Sequence, residues 1–165
     1  MIPLQFVFSA DSIFTGVKQE TSYIAERATT KDGQSLYESI VFDEEYLSYF
    51  YDKFNDAKAE LKKHCSAYIK DHDHQLVFIN DVTQQKEDCI LTLYMPKTFK
   101  KGMASVINTK MREFLVTYVA YIWLSDKMAE SAEIMQGRAD YALQQISSSL
   151  ETRVIPIRLK GTTIF

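Results

Sequence analysis

Glycine is scarce in this 165-residue chain: Gly16, Gly33, Gly102, Gly137 and Gly161 are all it has. No two of them lie close enough to build a glycine-rich phosphate cradle, a dinucleotide fingerprint or a nucleophile elbow, so the familiar nucleotide-binding and acyl-transfer machineries are missing. Two cysteines, Cys65 and Cys89, are too few for a disulfide framework. Residues 1–8 are apolar but lack a basic leader region and a small-residue cleavage site. The expectation is a soluble protein made in a reducing cytoplasm. The longest apolar run, 114–124, has 11 residues and is interrupted by Thr117; a membrane span needs roughly 20. No large excess of either charge exists. A net charge of −3 gives no global attraction to nucleic acid or anionic lipid, so any DNA contact must come from a local patch.

What the chain does have is a globular balance of 46% hydrophobic and 25% charged residues, which argues against general disorder. A single domain over 1–165 follows; at this size about 70% of the unfolded surface is buried without help from metal or disulfide. Aromatic residues are abundant, with ten Phe, ten Tyr and one Trp.

Residues 4–8 read as a short strand, and Ser9 and Asp11 offer N-caps for a helix over about 12–28. Ile13, Val17, Thr21, Ile24 and Ala28 form its stripe. Asp32-Gly33 marks a turn in which the glycine is a backbone requirement. Asp43, Glu44 and Glu45 favour a helix start, and Leu47, Phe50, Phe54, Ala57, Leu61 and Tyr68 place one apolar face on a long amphipathic helix over 43–70. Residues 76–79 and 89–95 suggest the two strands of a β-hairpin over 76–95, closed by Pro96. A wide stripe from Met103 to Trp123, then a polar break at 125–127, then Ala132, Met135, Ala139, Ala142, Leu143, Ile146 and Leu150 predict a helical hairpin over 103–151. A single long bent helix is the alternative there. Residues 153–165 read as an extended C-terminal arm. The fold class is mainly α with a small β-hairpin (α+β), a helical bundle with a C-terminal helical hairpin.

Candidate chemistry is sparse. His64, His72 and His74, with Asp71 and Asp73, have the ligand types for a divalent transition metal, but a polar helix-end connector accounts for them equally well. Lys97, Lys100 and Lys101, followed by Lys110 and Arg112 and interleaved with Phe99, could face DNA phosphates or simply be solvated. The acidic groups at 43–45 and 87–88 have ordinary structural roles, and no base, nucleophile and oxyanion site converge. Ser147, Ser148 and Ser149 read as a small-residue face where another helix approaches. No catalytic residue and no cofactor is expected. The aromatic surplus, spread beyond one stripe, fits core and subunit interface together, with Tyr118, Tyr121 and Trp123 and the arm residues Arg153, Ile155 and Ile157 as interface candidates.

The order of these elements, with the run Tyr118-Val119-Ala120-Tyr121-Ile122-Trp123-Leu124 and the ending Leu150-Glu151-Thr152-Arg153 followed by Pro156-Ile157-Arg158, resembles the head–tail connector (neck or adaptor) proteins of tailed bacteriophages, especially small ones from phages of gut Bacteroidetes. The resemblance covers about 43–160; the first and last helices exceed those of the smallest connectors. It implies a non-enzymatic virion protein, a homo-oligomeric ring of twelve subunits beneath the portal. Such a ring joins capsid to tail proteins, leaves a channel in which DNA is contacted without sequence preference, and assembles in the host cytoplasm. Rival expectations are a cytoplasmic helical adaptor or regulator and a metal enzyme using His64, His72 and His74.

Overall fold

Ser9 separates the first strand from the first helix. Its backbone is extended and its Oγ accepts the Ser12 N–H at 3.2 Å, which satisfies one donor that a helix start leaves open. The Asp88 carboxylate, distant in sequence, takes the Ala10 N–H at 2.8 Å. The computed structural model describes residues 1–70 and 88–155. Over them the chain runs β1 (Ile2–Phe8), α1 (Ala10–Ala25), the single turn α2 (Tyr37–Ile40), α3 (Leu47–His64), β2 (Cys89–Met95), α4 (Met103–Leu124) and α5 (Ala129–Glu151). It is mainly helical with one two-stranded antiparallel sheet.

α1 sits two to three residues earlier than its stripe suggests, because the Ser9 and Asp88 caps fix its start. The turn after it has Gly33 at φ +81°, with the Gly33 N–H donating to the Thr30 carbonyl at 2.9 Å; glycine enters that region without a Cβ penalty. The expected long helix over 43–70 is three pieces. Asp43 caps a 3-10 turn at Glu44–Tyr46 through the Glu44 N–H at 2.7 Å, α3 follows, and a second 3-10 turn occupies Ser66–Tyr68. The middle of its apolar stripe is as expected, with Phe50, Phe54, Ala57 and Leu61 fully buried, whereas Leu47 at its start is exposed and Tyr68 beyond its end is half-buried.

The sheet includes a strand pairing that the sequence reading did not foresee. β2 pairs with the N-terminal strand, in register from Ile2 opposite Met95 to Phe8 opposite Cys89; the proposed partner 76–79 lies outside the described residues. Period-two alternation turns Phe6, Phe8, Cys89, Leu91, Leu93 and Met95 inward and leaves Val7 and its cross-strand partner Ile90 exposed.

α4 and α5 form the expected antiparallel hairpin. The turn at 125–128 is closed by the Lys127 and Met128 N–H groups donating to the Leu124 carbonyl at 3.0 and 2.8 Å. Pairing then steps outward symmetrically. Arg138 reaches Glu113, Lys110 lies over the Tyr141 ring, and Phe99 bridges Arg153. α4 is wrapped by α5, α3 and α1, which is why ten of its side chains are buried and its apolar stripe is wide. Burying each large side chain contributes about 1.5–3 kcal/mol. No described helix is long and apolar enough to cross a membrane.

Candidate functional site

Of the histidine candidate, only His64 lies among the described residues. His64, at the last residue of α3, has Nε2 2.6 Å from Ser147 Oγ and 3.1 Å from the Leu143 carbonyl oxygen. A carbonyl only accepts, so Nε2 carries the proton in this arrangement and ties α3 to α5. His72 and His74 lie outside the described residues, and among the described residues no three His, Cys, Asp or Glu side chains group as a metal site. Ser147 therefore faces another helix, as the small-residue reading of 147–149 expected, and Ser149 is buried.

Both cysteines are buried and unpaired. Burial, then the nearby Cys89, pushes the Cys65 thiol up to about 12, and burial likewise raises Cys89. Neither is a nucleophile in the folded chain. Ellman's reagent at pH 8 is expected to leave both unreacted in the native protein and to titrate both after denaturation; fast labelling of the native state would contradict the packing. Because the folded thiol ionises at higher pH than the unfolded one, its contribution is complete below pH 9.0 and is lost as pH climbs toward about 12. That slope is about 1.4 kcal/mol per pH unit for Cys65.

The basic cluster splits. Lys97, Lys100 and Lys101 are exposed together on the connector between β2 and α4. Lys110, in contrast, pairs with Glu113 at 2.8 Å, and Arg112 donates to Ser12 Oγ at 2.6 Å and to the Ser12 carbonyl at 3.2 Å. Phe99 is 1% exposed; it anchors the connector in the core and is not an aromatic offered to bases, a correction to the sequence reading.

Of the interface candidates, Trp123 is likewise corrected. Its indole N–H donates to the Ile40 carbonyl at 2.7 Å, and Phe42, Tyr46 and Tyr49 pack around it with centroids at 4.8, 4.6 and 5.5 Å. The sequence signal that would have found this is the Ile40-Val41-Phe42 segment, an apolar patch without a helix of its own long enough to use it. Arg153 is half-buried and its Nη1 donates to the Leu150 and Thr152 carbonyls at 2.6 and 3.3 Å, closing the end of α5. Val154 N–H donates to the Thr98 carbonyl at 2.8 Å, so the start of the C-terminal arm is tied to the lysine-bearing connector. Val154 and Ile155 then point outward, Ile155 at 84% exposure. Ile157 lies outside the described residues.

Two of the surface recesses lie between packed helices and hold charged groups. One, of about 330 Å³ between α1, α4 and α5, contains Glu20, Arg112, Glu113 and Arg138. Arg138 forks onto Glu20 at 3.0 and 3.2 Å and approaches Glu113 at 3.7 Å. These hydrogen bonds hold its guanidinium above the usual range against the opposing effect of burial. Charge is balanced internally there, so the recess is a seam between helices. The other, between α3, α4 and α5, brings the half-buried Tyr118 and Tyr121 beside Glu60 and Asp140. Burial, followed by the charges of Asp56 and Glu60, pushes the Tyr118 phenol up. Searches of family models, curated proteins and solved structures give no match to this chain.

Proposed function

We propose that the chain is a structural subunit of a tailed-phage neck. Copies close into a ring, of twelve in the connector family the sequence resembles, joining the portal-bearing capsid to the tail around a DNA channel in the virion. The observation that supports this most is the far end of the α4–α5 hairpin. Val154 and Ile155, 56% and 84% exposed, sit on a segment held to residue 98 by backbone hydrogen bonding, next to Lys97, Lys100 and Lys101. A fixed apolar tip fringed with positive charge suits a head-to-tail contact with a neighbour, the kind of contact that makes rings when its rotation closes.

The test is the mass of the purified protein in solution, alone and mixed with the portal protein of the same genome. A ring-sized species that incorporates portal is expected. A strict monomer that joins neither portal nor tail proteins sinks the proposal. The second reading, a cytoplasmic adaptor for one protein partner, draws on the recess at Tyr118 and Tyr121. A genome neighbourhood of housekeeping genes, without portal and capsid genes, would favour it.

A further inference from the structure

Among the described residues six aromatic rings carry a cation from the chain itself: Arg27 over Tyr23, Lys53 over Tyr49, Lys58 over Phe54, Lys70 over Tyr94, Lys110 over Tyr141 and Lys127 over Trp123, at 4.0–5.6 Å. Tyr118 and Tyr121 have none among the described residues, although their surroundings favour one more than most. The recess they line has about 170 Å³ of space and no lysine or arginine in its wall. Its floor is Phe114, 2% exposed, with the Tyr118 ring 5.5 Å away and tilted by 47°. Glu60 and Asp140 stand at the rim. Asp140 makes no ion pair with any described residue, and the one Glu60 makes, to Lys63, is 4.0 Å long and at the surface. Asp56, itself 3.6 Å from Lys53, adds negative charge near Tyr118.

We propose that this recess receives an arginine side chain presented by a partner protein. The guanidinium stacks on the tyrosine rings, and its N–H groups donate to Asp140 and Glu60. Three features select this ligand. Electron-rich ring faces attract a cation, most strongly where water is partly excluded. Two exposed carboxylates line the recess, and a planar fork of several donors, which arginine has and lysine lacks, can serve more than one carboxylate oxygen. The space is below the roughly 300 Å³ at which drug-sized ligand pockets begin, so it admits one side chain and excludes a nucleotide or a helix. The proposal does not depend on the neck reading, since it concerns a different face from the tip at Val154 and Ile155.

The probe is the capped peptide Gly-Gly-Arg-Gly-Gly, titrated into the full isotope-labelled chain and followed by NMR, with the citrulline peptide as a neutral copy of nearly the same shape. The arginine peptide is expected to shift the Tyr118, Tyr121 and Ala139 signals saturably, with millimolar affinity and a loss on adding salt. The citrulline peptide is expected to leave them in place. Glu60 and Asp140 are exposed, so the double variant Glu60→Gln, Asp140→Asn should keep its thermal midpoint while binding about five- to tenfold more weakly. Equal shifts from citrulline, no saturable shift from arginine, or undiminished binding by the double variant overturns the proposal.

Discussion

Trp123→Ala is expected to destabilise the fold by about 4 kcal/mol, the middle of the range for removing a large buried aromatic. The indole is 6% exposed and joins elements far apart in sequence: α4 supplies it, Phe42, Tyr46 and Tyr49 surround it, and its N–H satisfies the Ile40 carbonyl. Truncation thus opens a cavity, removes edge-to-face ring contacts worth about 0.5–1.5 kcal/mol each, and orphans a buried acceptor. Trp123→Phe separates these effects. It keeps most of the ring contact but leaves the carbonyl unpaired, for a loss of about 1–3 kcal/mol. Urea denaturation followed by far-ultraviolet circular dichroism measures both, since the variants lack the chain's one tryptophan. A loss below about 1 kcal/mol for Trp123→Ala would mean that this residue is an interface side chain after all, hidden only when a partner is present.

The second large effect concerns two glycines of opposite character. Gly16 is buried on α1, and a Cβ built there would lie 2.8 Å from Val116 Cγ2. Val116 is β-branched and stiff, so the helices themselves must part to admit a side chain. Gly16→Val is expected to cost about 2–3 kcal/mol by overpacking. Adding Val116→Ala should restore part of that loss, leaving the double variant more stable than the two separate changes predict. Gly137 sits on the exposed side of α5 with nothing within 4 Å of a Cβ. Gly137→Ala should therefore stabilise the chain by about 1 kcal/mol, the usual preference of a helix interior. Equal responses at the two sites would contradict the close crossing of α1 and α4.

Helices were legible where apolar spacing and polar punctuation agreed. Phe50, Phe54, Ala57 and Leu61 share one side of α3, and the polar step at 125–127 marks a real turn, because both signals are local and the physics behind them is local. The sheet was not legible in the same way. Residues 89–95 announce a strand by their β-branched and aromatic content, but nothing near them says that the partner is the N-terminus; strand pairing is decided by inward-facing sets such as Phe6 and Leu91 meeting in the core. Trp123 failed for a related reason. An aromatic-rich run reads the same whether its rings meet another chain or meet residues 40–49 of its own. The charged residues divided likewise: Lys97, Lys100 and Lys101 remain free on the surface as a cluster, whereas Arg112 lies one helix away from Ser12, a neighbour that only the packing of α1 on α4 provides.

The pairing of β1 with β2 has a consequence for how the chain is made. Ile2 leaves the ribosome before Met95, with α1, α2 and α3 emerging between them, so β1 must wait for its hydrogen-bonding partner. At ordinary synthesis rates that interval is roughly 5–20 s. During it Phe6 and Phe8 lack the strand that covers them, and the unpaired backbone of β1 offers a template to any other extended chain. Asp88, which caps α1, arrives at the same late moment. β1 and the start of α1 are therefore completed together and late, and nascent chains on one message, crowded together with bare β1 strands, face their greatest risk of pairing with each other just before residue 95 emerges.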